Sequence, residues 1–432
     1  MASHAFRVHG AGCGMADFIH AGIDFDFHAP GILPYHSRIP GDGGIEMGKV
    51  VFHDALLSFS SARRAEGVPT GGTWEEILAH LIGSAAPAPL FNAGGSAAAA
   101  LAAAAQLLRP SRTPVTYYGI SGDDGNAARL RHLLAQTPLD MTCFRLRPGR
   151  TASAHVFTDP RADGGRGDRF FIHRSGDDFP IEDAFQGESF FQAAINLYAG
   201  TAMVPALHRS LPALLQKSRR RGAITVVGTV HDYDAEQAAP GKPWPMGEGD
   251  GDEGAFPYID LLVADATEIR GLAGSGPASL EACVDALLDR GLTSVIATRG
   301  ADPVYYRSLG GIFGECRGYA PQAPALAASI RDRQGNPGDT SGAGDNFLGG
   351  LAADLILQLL ADDFYPKGEP HVERELLEAC PLRLSRAIAF ANIAGGLACL
   401  QQGGVRLERT TGEYLGRVRA YQPQSLPAGR PW

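Results

Sequence analysis

Through the second half of the chain, short continuous apolar runs alternate with longer amphipathic segments. Residues 194–198, 223–230, 259–264 and 294–298 are apolar throughout or nearly so, and they read as strands buried on both faces. Between them, 205–219 and 280–290 carry apolar positions at helical spacing, and 304–307 adds a further strand. This rhythm predicts an α/β fold with a mainly parallel central sheet covered by helices on both faces. Upstream, 115–119 is a strand and the segment through Leu134 a helix, while an Ala-rich helix runs from Asn92-Ala93-Gly94-Gly95-Ser96 to Leu108. The strand-like runs 152–158 and 169–173 flank a 163–167 turn, a hairpin by pattern that stands outside the βα rhythm and suits a separate small sheet.

The first ninety residues are less regular. Arg7-Val8-His9 leads into the turn Gly10-Ala11-Gly12-Cys13-Gly14, and 18–27 reads as strand. The turn has Met15 where the last glycine of a dinucleotide fingerprint belongs. The other reading is that it presents Asp17 at a strand end, where ligand sites of open α/β sheets lie. From 28 to 89, Pro30, Pro34, Pro40 and Gly41-Asp42-Gly43-Gly44 mark loop, with a strand expected at 49–52 and a helix at 73–82 capped by Thr73 and Glu76. A loop-rich stretch of this length suits a lid or binding loop. A second Gly/Pro/acidic insertion, 240–254, reads as an exposed loop.

The candidate chemistry concentrates at Gly338-Asp339-Thr340-Ser341-Gly342-Ala343-Gly344-Asp345, immediately before an apolar helix expected at 347–360. Small residues at a helix start leave N–H groups pointing at any anion placed there. A carboxylate beside such a cradle is useful when it takes a proton from a hydroxyl attacking a bound phosphate. The plainer reading is a capped helix start behind a glycine turn. Gly94-Gly95 likewise permits either close approach to a ligand or tight helix packing.

Composition narrows the field. Of 432 residues, 44% are hydrophobic and 20% charged, a balance that favours a packed globular protein over disorder. A net charge of −9 offers no broad basic surface, which disfavours nucleic acid as partner; Arg219-Arg220-Arg221 reads as a solvated helix end. The six cysteines form no C-x-x-C pair, so neither a zinc site nor a disulfide framework is expected. No apolar run reaches the ~20 residues of a membrane span. These features lead to the expectation of a cytoplasmic protein acting on small molecules, with no membrane partner.

In order along the chain, Asp17, Gly94-Gly95, Gly122-Asp123-Asp124, Asp265-x-x-Glu268, Thr298-x-Gly300, Asp339-Thr340-Ser341-Gly342-Ala343-Gly344-Asp345, Ala391-Asn392 and Gly403-Gly404 resemble the motif series of the ribokinase-like, PfkB-type carbohydrate kinases. The resemblance spans nearly the whole chain. It implies one ribokinase-like domain, 1–432, with a small β lid from segments near 18–60 and 143–175. It implies transfer of phosphate from ATP to a hydroxyl of a sugar or sugar-like molecule. Asp345 would be the general base, and the Gly342, Ala343 and Gly344 amides the anion hole. Asp17, Gly94 and Gly95 would bind substrate, and Thr298, Gly300 and Asn392 the nucleotide. Asp265 and Glu268 would act on Mg²⁺ through its waters, Asp339 and Ser341 would hold a monovalent cation such as K⁺, and a homodimer is allowed. No G-x-x-x-x-G-K-[ST] loop is present, so the anion hole has to come from the 342–344 turn.

Two positions depart from the family pattern. Asp265 stands where the family has Asn; the plainer local reading is a cap pair formed with Glu268, and both readings can hold together. Ala97-Ala98-Ala99-Ala100 occupies the place of an Asn that follows the glycine pair, leaving Asn92 or Ser96 as its substitute. The 28–89 insertion is expected to reshape the substrate pocket or an oligomer contact. A nucleoside kinase on the same scaffold is the alternative, followed by a non-catalytic ligand-binding homologue and then a Rossmann oxidoreductase.

Overall fold

The structure is a computed structural model that describes residues 6–21, 32–37, 39, 41–46, 48–83, 87–159, 168–185, 187–247, 254–332, 340–361 and 372–422. Its strands are β1 (Val8–Gly12), β2 (Met15–Ala21), β3 (Val50–Phe52), β4 (Leu90–Gly94), β5 (Val115–Gly122), β6 (Phe144–Arg147) and β7 (Ser153–Asp159). There follow β8 (Asp168–Arg174), β9 (Ile195–Ala199), β10 (Ile224–Gly228), β11 (Leu261–Asp265), β12 (Ser294–Arg299), β13 (Asp302–Leu309) and β14 (Glu315–Ala320). Nine of them form the main sheet in the order β14-β13-β12-β11-β10-β9-β1-β5-β6, and the others form a second sheet, β3-β8-β7-β2-β4.

The main sheet is parallel from β12 to β6, with β13 and β14 added antiparallel at one edge. Strand alternation divides its side chains between two cores. Ile195, Leu197 and Ala199 of β9 join a core with the helices Ser96–Leu108, Ala343–Ala361 and Leu384–Ala398, while Tyr198 joins the opposite one with Pro205–Arg220, Ala266–Ala273 and Leu280–Asp289. The expected α/β layering is therefore present. At its centre the Ser96–Leu108 helix is buried at every position, and Gly349 of Ala343–Ala361 sits against the Ala100 carbonyl. Its alanine-rich sequence is what lets two helix backbones approach so closely.

In the second sheet, cross-strand register fixes which residues share a face. Asp17 stands opposite Asn92 and Ala154, Ala154 opposite His173, and His173 opposite Phe52. These side chains lie on the face turned to the main sheet. The other face bears Val51, Phe157, Phe170 and Ile172, covered by Tyr35, Leu56, Ile77 and Leu81.

Several local expectations change here. The 28–89 segment is more ordered than its composition suggests, because His53–Ala65 is a helix packed on the second sheet. Thr73 does form a capping box with Glu76 at the start of the Trp74–Ile82 helix. Residues 90–94 are strand rather than helix start, pairing antiparallel with β2. The 240–254 insertion is not simply an exposed loop: Trp244 and Met246 are buried, and the Trp244 indole donates to Glu236 at 2.9 Å. The helix Pro205–Arg220 does end in solvent, with Arg220 and Arg221 exposed, although Arg219 reaches Asp260 and Arg221 makes a surface pair with Glu188.

Candidate active site

The helix Ala343–Ala361 begins one residue after Gly342, whose φ of 72° lies in the left-handed region. A Cβ on Gly342 would meet the Gly404 Cα at 2.4 Å, so only glycine fits between this turn and the 403–404 loop. Asn346 locks the two together, its amide donating to the carbonyls of Gly342 and Gly404, both at 2.8 Å. The Tyr414 hydroxyl in turn donates to the Asn346 side-chain oxygen at 3.0 Å. At the helix start the Ala343 N–H turns back to the Thr340 carbonyl at 3.2 Å. The Gly344 and Asp345 N–H groups meet no acceptor among the described residues, as befits the first turn of a helix. Ser341 is buried beneath the turn, and its expected companion Asp339 lies outside the described residues.

Asp345 is half-buried and lies near Ser96, the first residue of the Ser96–Leu108 helix, whose hydroxyl favours its charged form. Burial raises its carboxyl above the ordinary value, while Ser96 and the Arg169 charge on β8 oppose the shift. A base made stronger in this way is better matched to a hydroxyl proton. Asp17 and Asp345 both act on the buried Cys13 thiol, which places the two carboxylates near the turn after β1. Gly94 faces Asp17 so closely that a Cβ there would stand 2.1 Å from the carboxylate. Gly95, with φ 85°, is the cap of the Ser96–Leu108 helix.

Asp265 ends β11, and its carboxylate accepts from the N–H groups of Thr267 and Glu268 at 2.7 and 2.8 Å. Glu268 returns the bond to the Asp265 N–H at 3.0 Å, completing a capping box, and accepts from the Thr229 hydroxyl at 2.7 Å. Burial is the largest reason that the Glu268 carboxyl is pushed up to about 7, followed by repulsion from Asp265 and a smaller push from Asp345. Three carboxylates within electrostatic reach suit a cation between them. Among the described residues no group of three or more His, Cys, Asp or Glu side chains could hold a metal directly, so contact through water fits better.

The nucleotide candidates sit along the far edge of the sheet. Thr298 stands in register with Asp265, and Gly300 makes the turn between β12 and β13 with open space on its Cβ side. Asn392 spends its side-chain N–H groups on the carbonyls of Ala320 and Pro321, at 3.2 and 3.4 Å, which ties β14 to the helix Leu384–Ala398.

The missing amide is explained differently from either expected substitute. Asn92 is committed to Val405, accepting from its N–H at 3.1 Å and donating to its carbonyl at 3.3 Å. Ser96 faces Asp345 and favours its charged form. Ala99 instead lies beside Gly404, where a larger side chain would press on the 403–404 loop. Thr229, Asn346 and Tyr414 went unnoticed in the sequence. Thr229 follows an apolar strand immediately, which is the position where α/β sheets present ligands, and that signal was available. Asn346 and Tyr414 carried no local signal, since their roles depend on a loop far away in the chain.

Residues 81–410 match the model of the pfkB family carbohydrate kinases. The chain is 25% identical over 329 residues to probable fructokinase-7 of Arabidopsis thaliana, covering 74% of this chain and 83% of the relative. Among solved structures, it resembles a fructokinase with bound ATP from Xylella fastidiosa, with a TM-score of 0.56, 21% identity and coverage of 77% of this chain and 92% of that one. It also resembles an adenosine kinase from Schistosoma mansoni in complex with 2-fluoroadenosine, with a TM-score of 0.62, 14% identity and coverage of 95% and 99%. At these identities the structural likenesses speak for the fold, while the family model speaks for descent. The chain belongs to the pfkB family of carbohydrate kinases and is a small-molecule kinase.

Proposed function

We propose that the protein transfers the γ-phosphoryl group of ATP to a hydroxyl of a sugar or sugar-like acceptor held by Asp17, Gly94 and Gly95. The observation that carries the reading is Asp345 itself: a half-buried carboxylate with a raised pKa, its charged form favoured by Ser96, in the first turn of a helix where the Gly344 and Asp345 N–H groups meet no acceptor among the described residues. In the step, the Asp345 carboxylate takes the acceptor's hydroxyl proton as the oxygen bonds to the γ-phosphorus. The bond from that phosphorus to the β–γ bridging oxygen breaks, and ADP leaves. Charge gathering on the transferred group falls to the N–H groups of Gly342 and Gly344, with Ala343 shared with Thr340. Asp265 and Glu268 would hold Mg²⁺ through its waters, and the ion would supply neutralising charge at the phosphates. Thr298, Gly300 and Asn392 would border the nucleotide, and Asp339 with Ser341 is the pair to vary when K⁺ dependence is tested. The second sheet serves as the lid, excluding water that would otherwise accept the phosphate.

A nucleoside acceptor is the second reading, favoured by the aromatic rings of Phe52, His173 and Tyr233 on the side where a base would stack. The test is a Mg²⁺/ATP turnover screen over sugars and nucleosides, with wild type and Asp345→Asn side by side. The expected outcome is ADP formation with at least one acceptor in the wild type. In the variant, turnover falls by about 100-fold or more while ATP binding is kept. Near-normal turnover by Asp345→Asn removes the base assignment.

A further inference from the structure

We propose that Thr229 is a positioning residue of the metal pair: its hydroxyl holds one oxygen of the Glu268 carboxylate, so that the other oxygen is left for the waters of the Mg²⁺ ion. The inference rests on the reading of Asp265 and Glu268 given above. It adds to that pair a residue from a different strand.

The apolar run Ile224–Gly228 is β10, and Thr229 is the first residue past its end. β10 and β11 run parallel with Gly228 opposite Val263, and the Thr229 N–H donates to the Val263 carbonyl at 3.0 Å. Two residues beyond Val263, β11 ends at Asp265, the cap of the Ala266–Ala273 helix. Strand pairing thus delivers a hydroxyl and a helix start to the same rim of the sheet, the rim where open α/β sheets hold ligands.

The hydrogen bonds there are divided unevenly between the carboxylate oxygens. Glu268 Oε2 accepts from the Thr229 hydroxyl at 2.7 Å and from the Asp265 N–H at 3.0 Å. Asp265 Oδ1 accepts from the N–H groups of Thr267 and Glu268, at 2.7 and 2.8 Å. No hydrogen bond from a described residue reaches Glu268 Oε1 or Asp265 Oδ2. Each carboxylate therefore has one oxygen committed to the protein and one with its acceptor capacity unspent.

The capping box is complete without Thr229, because it needs only the reciprocal bonds between Asp265 and Glu268. The Thr229 bond comes in addition. With the Asp265 N–H alone, the Glu268 carboxylate could turn about that one contact. A second donor on the same oxygen, from a separate strand, removes that freedom and fixes where Oε1 points. Repulsion from Asp345 reaches Glu268, so the pair stands within electrostatic range of the 342–344 turn. Partners that orient a metal's ligands in this way commonly change metal affinity by ~10–100-fold when removed.

The test reads metal binding without turnover. Mn²⁺ is titrated into the protein–ADP complex, and the loss of the free Mn²⁺ EPR signal gives its Kd. Wild type is compared with Thr229→Val, which removes the hydroxyl and keeps the shape, with Thr229→Ser, which keeps the hydroxyl, and with Glu268→Ala. Thr229→Val should raise the Mn²⁺ Kd about tenfold, and Thr229→Ser should stay within about threefold of wild type. The ADP Kd without metal should remain within about twofold in both. In the Glu268→Ala background, Thr229→Val should add less than about twofold, because Thr229 acts through Glu268. Should Thr229→Val not fold, Thr229→Ala is read by the same criteria. An unchanged Mn²⁺ Kd in Thr229→Val, or an equal loss with and without Glu268, assigns Thr229 to the fold alone and overturns the proposal. A wild-type Mn²⁺ Kd in Glu268→Ala is a different failure: it removes the metal reading of the pair, and the proposal with it.

Discussion

Burial and the Ser96 side chain set how strongly Asp345 holds a proton. Ser96 lowers the Asp345 carboxyl toward its ordinary value, while burial pushes it up. Turnover requires the ionised carboxylate, so it should fall as the pH drops through a pKa that lies above the usual Asp range. Ser96→Ala removes one opposing influence and should move this acidic limb to higher pH. A kcat/KM–pH profile that is identical in the two proteins would separate Ser96 from the base. Gly94 offers a second test, since any Cβ collides with the Asp17 carboxylate. Gly94→Ala should cost about 100-fold in acceptor kcat/KM, because an ångström of misplacement suffices for that loss. The KM for ATP should stay near its original value. Both residues were visible as candidates in the sequence, but the contact between Ser96 and Asp345 joins positions far apart in the chain.

At the scale of elements, helix starts do most of the positioning. The Trp74–Ile82 helix is held by a reciprocal box between Thr73 and Glu76, with the Thr73 hydroxyl accepting from the Glu76 N–H at 3.2 Å. Thr73→Ala should destabilise that helix by about 1 kcal/mol. Amide hydrogen exchange read over 74–82 measures it, and unchanged protection there would mean that packing alone holds the helix. The Asp265–Glu268 box has the same local form, yet burial and the neighbouring Asp265 and Asp345 carboxylates push the Glu268 carboxyl up, whereas the backbone N–H groups of Gly72 and Thr73 hold the Glu76 carboxyl below its usual value. Cap and proposed metal pair would be one arrangement, because the bonds that fix the helix start also fix the carboxylates. The same spacing was readable in both places from sequence. What separates them is burial against a third carboxylate, which depends on the assembled sheet.

Across the whole molecule, the relation between the two sheets would set access to the site if the smaller sheet is the proposed lid. The bond from Val50 to the Tyr233 hydroxyl and the Phe52–Tyr233 ring contact join the smaller sheet to the main one. Tyr233→Phe removes the bond and keeps the ring. A neutral hydrogen bond contributes about 1 kcal/mol, so acceptor KM should rise roughly fivefold while ATP KM stays put. Equal changes in both constants would place the effect on the core rather than on closure. Among the described residues no helix is long and apolar enough to cross a membrane.

The sequence alone determined the layered α/β plan, and it singled out the 338–345 turn and Asp345 as the candidates for the chemistry. Apolar runs and a seven-residue motif are local properties, carried by neighbouring residues whatever the rest of the chain does. It also determined the Thr73 cap, for the same reason. Only the tertiary structure decided that 53–65 is a helix covering the smaller sheet, that Trp244 is buried in what reads as a polar insertion, and that Asn92 is committed to Val405. It likewise decided that β4 pairs with β2, so that Gly94 meets Asp17. Each of these depends on which distant segment arrives as partner. Burial and hydrogen bonding between remote positions leave no periodicity for a sequence to display.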